Sequence, residues 1–389
     1  MNFFPFDMQA AEALCRELDE WRAKLDTDVT LQRRWYGQLR RDLEAEAIAA
    51  SVSMEQVPVT VDEVRRILLG VPTPSVALGN QRLVLGYKEG MEFAMRRADD
   101  PSFEWNRELV IGLHDRVLAG DFGAGAGRLA AADRWVVDQA THALVFTPVG
   151  WQEIPEQVDR ACRQMQDWEG RVHPAVASAW IHAVTAAIHP FKDGNGRVSR
   201  VLASLAMFRG GLKAKEFTSL EEWWGRRLND YYAAFACLGD RFDPSVAVTP
   251  FIEAHIRAQL GQVRALDLRK EVERRVWAGL EHVVEDCGLK PRTIYALWEA
   301  FYEREVTASY YLGLAEVSKQ TATNDFVALV AAGLLLPRGE RGGRRYASSE
   351  GLYARLGRAL GFDVPGGERY AWIIGALTSR LAALRGMRA

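Results

Sequence analysis

Between residues 179 and 208 the chain must stop one helix and start another within a few residues. Residues 179–188 carry apolar side chains at helical spacing, which places His182 and His189 seven apart on one face. The chain then turns through Pro190, and Asp193-Gly194-Asn195-Gly196 leads into a second helix over 197–208. The turn is polar and flanked by glycines, so its backbone can approach a ligand closely. A helix N-terminus directed at that ligand adds donors and positive potential.

Twelve positions, His189-Pro190-Phe191-Lys192-Asp193-Gly194-Asn195-Gly196-Arg197-Val198-Ser199-Arg200, bring together an imidazole, a carboxylate, an amide and two guanidinium groups. Arg197 and Arg200 are three apart, so both can point to one side. A guanidinium donates two parallel hydrogen bonds and suits phosphate. Asp193 offers the hard oxygen that Mg²⁺ prefers beside phosphate oxygens and waters. His189 is suited to accept a hydroxyl proton near neutral pH. A plain turn with solvated arginines would explain the glycines alone, but not all these groups at these offsets.

The segment resembles the signature of Fic (Fic/Doc, Fido) proteins, HPFx[D/E]GNGRxxR, at every specified position. The resemblance implies transfer of AMP from ATP, with Mg²⁺, to a Ser, Thr or Tyr hydroxyl of a protein substrate, the chain itself included. It makes His189 the general base and Asp193 the metal ligand. Gly194, Asn195 and Gly196 become the anion hole, with Arg197 and Arg200 on the phosphates. Relatives that phosphorylate depart from the GNGR segment intact here, so a kinase reading is disfavoured.

Two further elements follow from the resemblance. Leu144, Val145, Phe146 and Thr147 lie where the family has its flap, an extended segment that pairs with the target backbone by strand addition. An ordinary buried hairpin edge is the competing reading. Upstream, Ser51-Val52-Ser53-Met54-Glu55 fits the first five positions of the family's inhibitory helix, [S/T]xxxE[G/N], while Gln56 departs from it. Ser51 and Glu55 are four apart and share a helix face. The resemblance implies that Glu55 pairs with Arg200 and competes with the ATP γ-phosphate. In similar proteins such a glutamate also orients a water that removes AMP, so a de-AMPylating or bifunctional enzyme is the alternative.

The rest of the chain sets the frame. At 389 residues it is too long for one compact core. With 48% hydrophobic and 26% charged residues it reads as an ordinary globular protein, and a net charge of −2 gives no general pull towards nucleic acid or anionic membrane. No apolar run is long enough to span a bilayer, and residues 1–21 lack a basic stretch ahead of an apolar one. The four cysteines are far apart and read as reduced packing residues, which places the protein in the cytoplasm. His182 reads as a core histidine.

Helix dominates, with breaks at 57–60, where Thr60 and Glu63 form a capping-box pattern, at 70–74 and at 99–102. Short extended structure is plausible only in 136–148. The expected fold is all-α: a Fic-fold helical core with a short β-hairpin flap, plus a C-terminal winged helix-turn-helix domain. The expected domains are an N-terminal helical region, 1–100, with the inhibitory helix near 45–56; a catalytic core, 101–262; a helical connector, 263–300; and a winged-helix-like domain with a final helix, 301–389. In that last domain Lys319, Gln320, Thr321 and Asn324 face outwards, and Arg338, Arg341, Arg344 and Arg345 lie on the wing. Residues 301–350 hold six basic and six acidic residues, so a protein-docking role is preferred to DNA binding. A homodimer remains open.

Overall fold

A computed structural model of the chain describes residues 3–27, 33–121, 123–138, 141–213, 220–339 and 344–384. The structure divides into two compact units, Met1–Arg264 and Ala265–Ala389.

The first unit is built on α7 (Pro174–Ile188) and α8 (Asn195–Arg209). Both helices are apolar nearly all round, and a helix of that kind has to be enclosed. Trp180, Phe191, Val198, Leu202 and Leu205 are fully buried between them and their neighbours. Around this pair pack α4 (Leu78–Ala98), α5 (Arg107–Val117) and α6 (Ile154–Trp168). Gly86 shows how closely: a Cβ there would stand 2.6 Å from the Arg116 carbonyl oxygen, so α4 meets α5 backbone to backbone. The N-terminal residues Phe3 and Phe4 are buried in the same core, and the Trp180 indole donates to the Phe4 carbonyl at 3.0 Å.

The helical pattern over 10–55 resolves into α1 (Met8–Thr27) and α2 (Arg33–Ser53), with 28–32 outside the described residues. The capping box forms as expected at α3 (Val61–Leu68): Thr60 accepts from the Glu63 N–H, and the Glu63 carboxylate accepts from the Thr60 N–H. Helix α5 begins at Arg107, where the Asn106 side chain caps the Leu109 N–H and fixes the start. The extended stretch is present as β1 (Val136–Val137) and β2 (Leu144–Phe146). They are antiparallel, with Val136 opposite Phe146 and a bulge between Val136 and Val137. Two short helices follow, α9 (Leu220–Gly225) and α10 (Leu228–Ala234), and then α11 (Thr249–Asp286), which starts before the helical connector expected from 263.

In the second unit, helices Ala308–Ala315 and Lys319–Ala331 are joined by three residues. Ser318 and Thr307 cap their N-termini. Strands β3 (Val306–Thr307), β4 (Leu335–Arg338) and β5 (Arg345–Ser348) form an antiparallel sheet in the order β3-β5-β4. Arg341 falls outside the described residues. Inside the unit, the Arg292 guanidinium forks onto the buried Asp325 carboxylate, which also accepts from the Tyr311 hydroxyl. Among the described residues no helix is long and apolar enough to cross a membrane.

Candidate active site

The site is assembled where α7 stops and α8 starts. His189 is the C-cap of α7 in the left-handed conformation, φ 51°, with its N–H still donating to the Thr185 carbonyl. Asn195 closes the turn that follows: its side-chain oxygen accepts from the Phe191 N–H at 2.9 Å, and its amide nitrogen donates to the Phe191 carbonyl at 2.8 Å. Gly194, at φ 78°, is the N-cap of α8 and donates its N–H to Asp193 Oδ1. The first N–H groups of α8 have no acceptor within the helix, so this end presents donors and the positive pole of the helix dipole.

Arg197 and Arg200 leave the first turns of α8 and are both buried, at 2% and 4% exposure. Arg197 donates from Nη2 to both Asp193 oxygens at 3.2 Å, while its Nε and Nη1 have no hydrogen-bond partner among the described residues. Orphaned, buried guanidinium donors beside a helix N-terminus suit an anion of several oxygens. Arg200 is tied instead to the end of α2. Its Nε donates to Ser51 Oγ at 2.9 Å, and its Nη2 donates to the Ser51 carbonyl at 3.1 Å and to Glu55 Oε1 at 2.9 Å. The second Glu55 oxygen lies 4.0 Å from Arg197 Nε. Glu55 therefore stands between the two arginines. It also lies over Gly196, where a Cβ would come within 2.3 Å of Glu55 Oε1, so a side chain at 196 would have to displace the carboxylate.

Gln56, the departure from the family pattern, has φ 61°. That left-handed conformation is easy for Gly or Asn and costs other residues about 1 kcal/mol or more. Gln56 thus adopts a turn conformation here that Gly or Asn would take more easily.

Burial, reinforced by the nearby Arg134 charge, lowers the His189 pKa to about 4. The imidazole is therefore neutral at ordinary pH and able to take a proton. Asp193 is about half exposed, at 53% for its side chain, and among the described residues no cluster of three His, Cys, Asp or Glu could hold a metal ion. One carboxylate with room for phosphate oxygens and waters is a donor set that fits Mg²⁺ bound together with a nucleotide.

Several contributors were not singled out in the sequence. Arg134 donates to the carbonyls of Ile188, His189 and Val149, clamping the end of α7 to the segment after β2. It lies in a stretch with no periodicity, so nothing local marks it. His114 stacks on Phe191, ring centroids 3.6 Å apart, and its Nε2 lies 3.0 Å from the Asp193 carbonyl. A carbonyl only accepts, so that nitrogen carries the proton. Its place among Val110, Leu113 and Val117 on the buried side of α5 is the signal that could have exposed it. His182 faces away from the turn into the core, with Nε2 3.1 Å from the Tyr231 hydroxyl.

Of the flap positions, Leu144 and Val145 are exposed, while Phe146 is buried. Thr147 donates its N–H to the Asp240 carbonyl and accepts from the Phe242 N–H. The strand is thus anchored at its C-terminal end and open at its tip.

Residues 104–207 match the family model described as the Fic/DOC family. Among curated proteins, the protein adenylyltransferase Fic of Nematostella vectensis is 28% identical over 148 residues, 37% of this chain and 32% of that protein. The protein adenylyltransferase fic-1 of Caenorhabditis elegans is 27% identical over 171 residues, 41% of this chain and 31% of that protein. The chain spans about a third of the length of these relatives. Among solved structures, a Fic family protein from Desulfovibrio desulfuricans superposes with a TM-score of 0.56 at 20% identity, covering 90% of this chain and 99% of that one. Fic-1 of Caenorhabditis elegans gives a TM-score of 0.51 at 21% identity, covering 67% of this chain and 73% of that one. At such identities the solved structures show the shared fold.

Proposed function

Because residues 104–207 are a Fic/DOC-family domain, we propose that this chain transfers AMP from ATP to a hydroxyl side chain of a protein, and that Glu55 restrains it by occupying Arg200. The contact between Glu55 and Arg200 at 2.9 Å, set over Gly196 and beside the orphaned donors of Arg197, is the observation that carries this reading. A carboxylate there holds donors that a terminal phosphate would otherwise take.

In the reaction, the hydroxyl oxygen attacks the α-phosphorus of ATP. The new O–P bond forms as the bond from the α-phosphorus to the bridging oxygen breaks, and pyrophosphate leaves with that electron pair. His189, neutral at ordinary pH, takes the hydroxyl proton. The N–H groups opening α8, with Arg197 and Arg200, hold the phosphate oxygens. Asp193 is the residue that would hold Mg²⁺, whose charge offsets that of the phosphates. The exposed residues Leu144 and Val145 align the target segment by strand addition.

ATP labelled at the α- or the γ-phosphate tests the chemistry. Label reaching protein from α only, and lost with His189→Ala, is expected. Transfer from γ would make the protein a kinase and overturn the reading.

Residues 301–389 are read as a winged-helix module for protein docking. The two helices joined by three residues and the β4–β5 pair support this reading, and the exposed Val327 and Leu336 favour a protein partner over DNA. A gel shift with bulk DNA that weakens as salt rises would reverse that preference.

A further inference from the structure

We infer that Tyr231, backed by His182, is a positioning residue that keeps the Arg200 guanidinium aimed at the terminal phosphate once Glu55 has withdrawn. The inference rests on the function proposed above. It starts from the way Arg200 is bonded. Three of its bonds go to the end of α2 and the turn that follows it: two to Ser51 and one to Glu55. Whatever displaces Glu55 from the site puts that whole side of the guanidinium at risk. From a different element comes Tyr231 of α10, whose hydroxyl lies a long 3.5 Å from Arg200 Nη1 and does not depend on α2.

Proton bookkeeping fixes the direction of the chain of bonds. A guanidinium only donates, so the Tyr231 oxygen accepts from Arg200 and its own proton must go elsewhere. The acceptor within reach is His182 Nε2, at 3.1 Å. His182 must then be neutral, with its proton on Nδ1. Burial, with the charges of His255 and Arg200, lowers the His182 pKa well below its usual value, while burial raises that of Tyr231. Each group is therefore in the protonation state that the relay needs.

The surroundings leave His182 no competing role. Its ring is packed against Phe235, Phe251 and His255, with centroids 5.3–5.8 Å away, and it is 1% exposed. Among the described residues Nδ1 has no partner, and His182 lines a cavity of about 20 Å³ together with Ser178, Ser204 and His255. That is room for one water, able to accept the Nδ1 proton. A buried tyrosine and histidine aligned behind a guanidinium, on a different element from its exchangeable partner, make a fixed backstop. In the restrained state the backstop is one contact among several. In the released state it is the contact, among those described, that keeps Nη1 in place.

The test uses a Glu55→Gly/His189→Ala protein, which cannot turn ATP over, with ATP and ADP affinities measured by calorimetry in Mg²⁺. Adding Tyr231→Phe should weaken ATP by about tenfold, the value of one hydrogen bond to a charged group, and change ADP less than about twofold. His182→Phe should copy that effect. His182→Gln, which restores an acceptor near Nε2, should recover most of the ATP affinity. Equal losses for ATP and ADP would mean that Tyr231 only supports the fold, and unchanged ATP affinity would mean that it does not position Arg200. Either result overturns the inference. Failure of the parent reading shows separately, as absence of α-label transfer by the Glu55→Gly single variant.

Discussion

Arg197 and Arg200 are three residues apart on one helix, equally buried, yet they are satisfied in opposite ways. Arg197 spends one arm on Asp193 and leaves Nε and Nη1 without a hydrogen-bond partner among the described residues. Arg200 is held by Ser51 of α2, by Glu55 in the turn after it and by Tyr231 from α10. Burying guanidinium donors without partners is costly, so the Arg197 region is poised for an incoming anion. The Arg200 region has already received a substitute for one, supplied by its own chain. On the function proposed above, the difference separates a binding site from the device that would block it.

That contrast can be broken most severely through His189, the base proposed for both regions. His189→Ala should lower α-label transfer by about 100-fold or more, the usual value of a general base, while leaving both arginines bonded as they are. Measured transfer close to wild type would detach the two arginines from proton removal at His189.

Stability should separate the arginines themselves. Arg200→Ala strands Ser51, Glu55 and Tyr231, and should cost about 2–4 kcal/mol in denaturant unfolding. Arg197→Ala removes donors that are largely unpaired and should cost clearly less. Equal costs would show that burial alone, and not the partners from α2 and α10, distinguishes the two positions.

Acid should weaken the scaffold beneath both. Burial lowers the pKa of His114 and His189 to about 4, of His255 to about 3, and of His182 well below the usual value. Each is neutral when folded and takes up a proton on unfolding once the pH drops below about 6.5. Stability is therefore complete above that pH and falls as pH goes from about 6.5 towards 4. Each histidine adds a slope of up to about 1.4 kcal/mol per pH unit. The acidic limb of kcat/KM should likewise lie nearer pH 4 than 6.5. A stability profile flat from pH 7 to 5 would contradict the burial of these rings.

The smallest expected effect tests the hinge of the blocking element. Gln56 holds φ 61°, so Gln56→Gly should stabilise the turn after α2 by about 0.5–1 kcal/mol and lower resting activity slightly. Raised activity in this variant would mean that the strained turn is not part of the restraint.

Local features were legible in the sequence and tertiary ones were not. The limits of α7, the turn at 189–196 and the Thr60 capping box follow from spacing, glycine and capping chemistry, which act within a few residues. Helical period predicts Ser51 and Glu55 on one helix face, but α2 ends at Ser53 and Glu55 stands in the turn after it. Their nearness to Arg200, some 145 residues on, came only from a family resemblance. Arg134 and Tyr231 act through contacts with distant backbone and side chains, and no periodicity marks them. His182 lay on the correct helix, and its partner was invisible for the same reason.

The central claim is that Glu55 and the nucleotide compete for Arg200. The most direct measurement is the initial rate of α-label transfer to protein by wild type and by Glu55→Gly, at the same protein concentration with saturating ATP and Mg²⁺. A rise of about tenfold or more in the variant is predicted, the value of removing one charge-assisted hydrogen bond from the blocked state. Equal rates would contradict the claim and leave the Glu55–Arg200 pair as a structural contact.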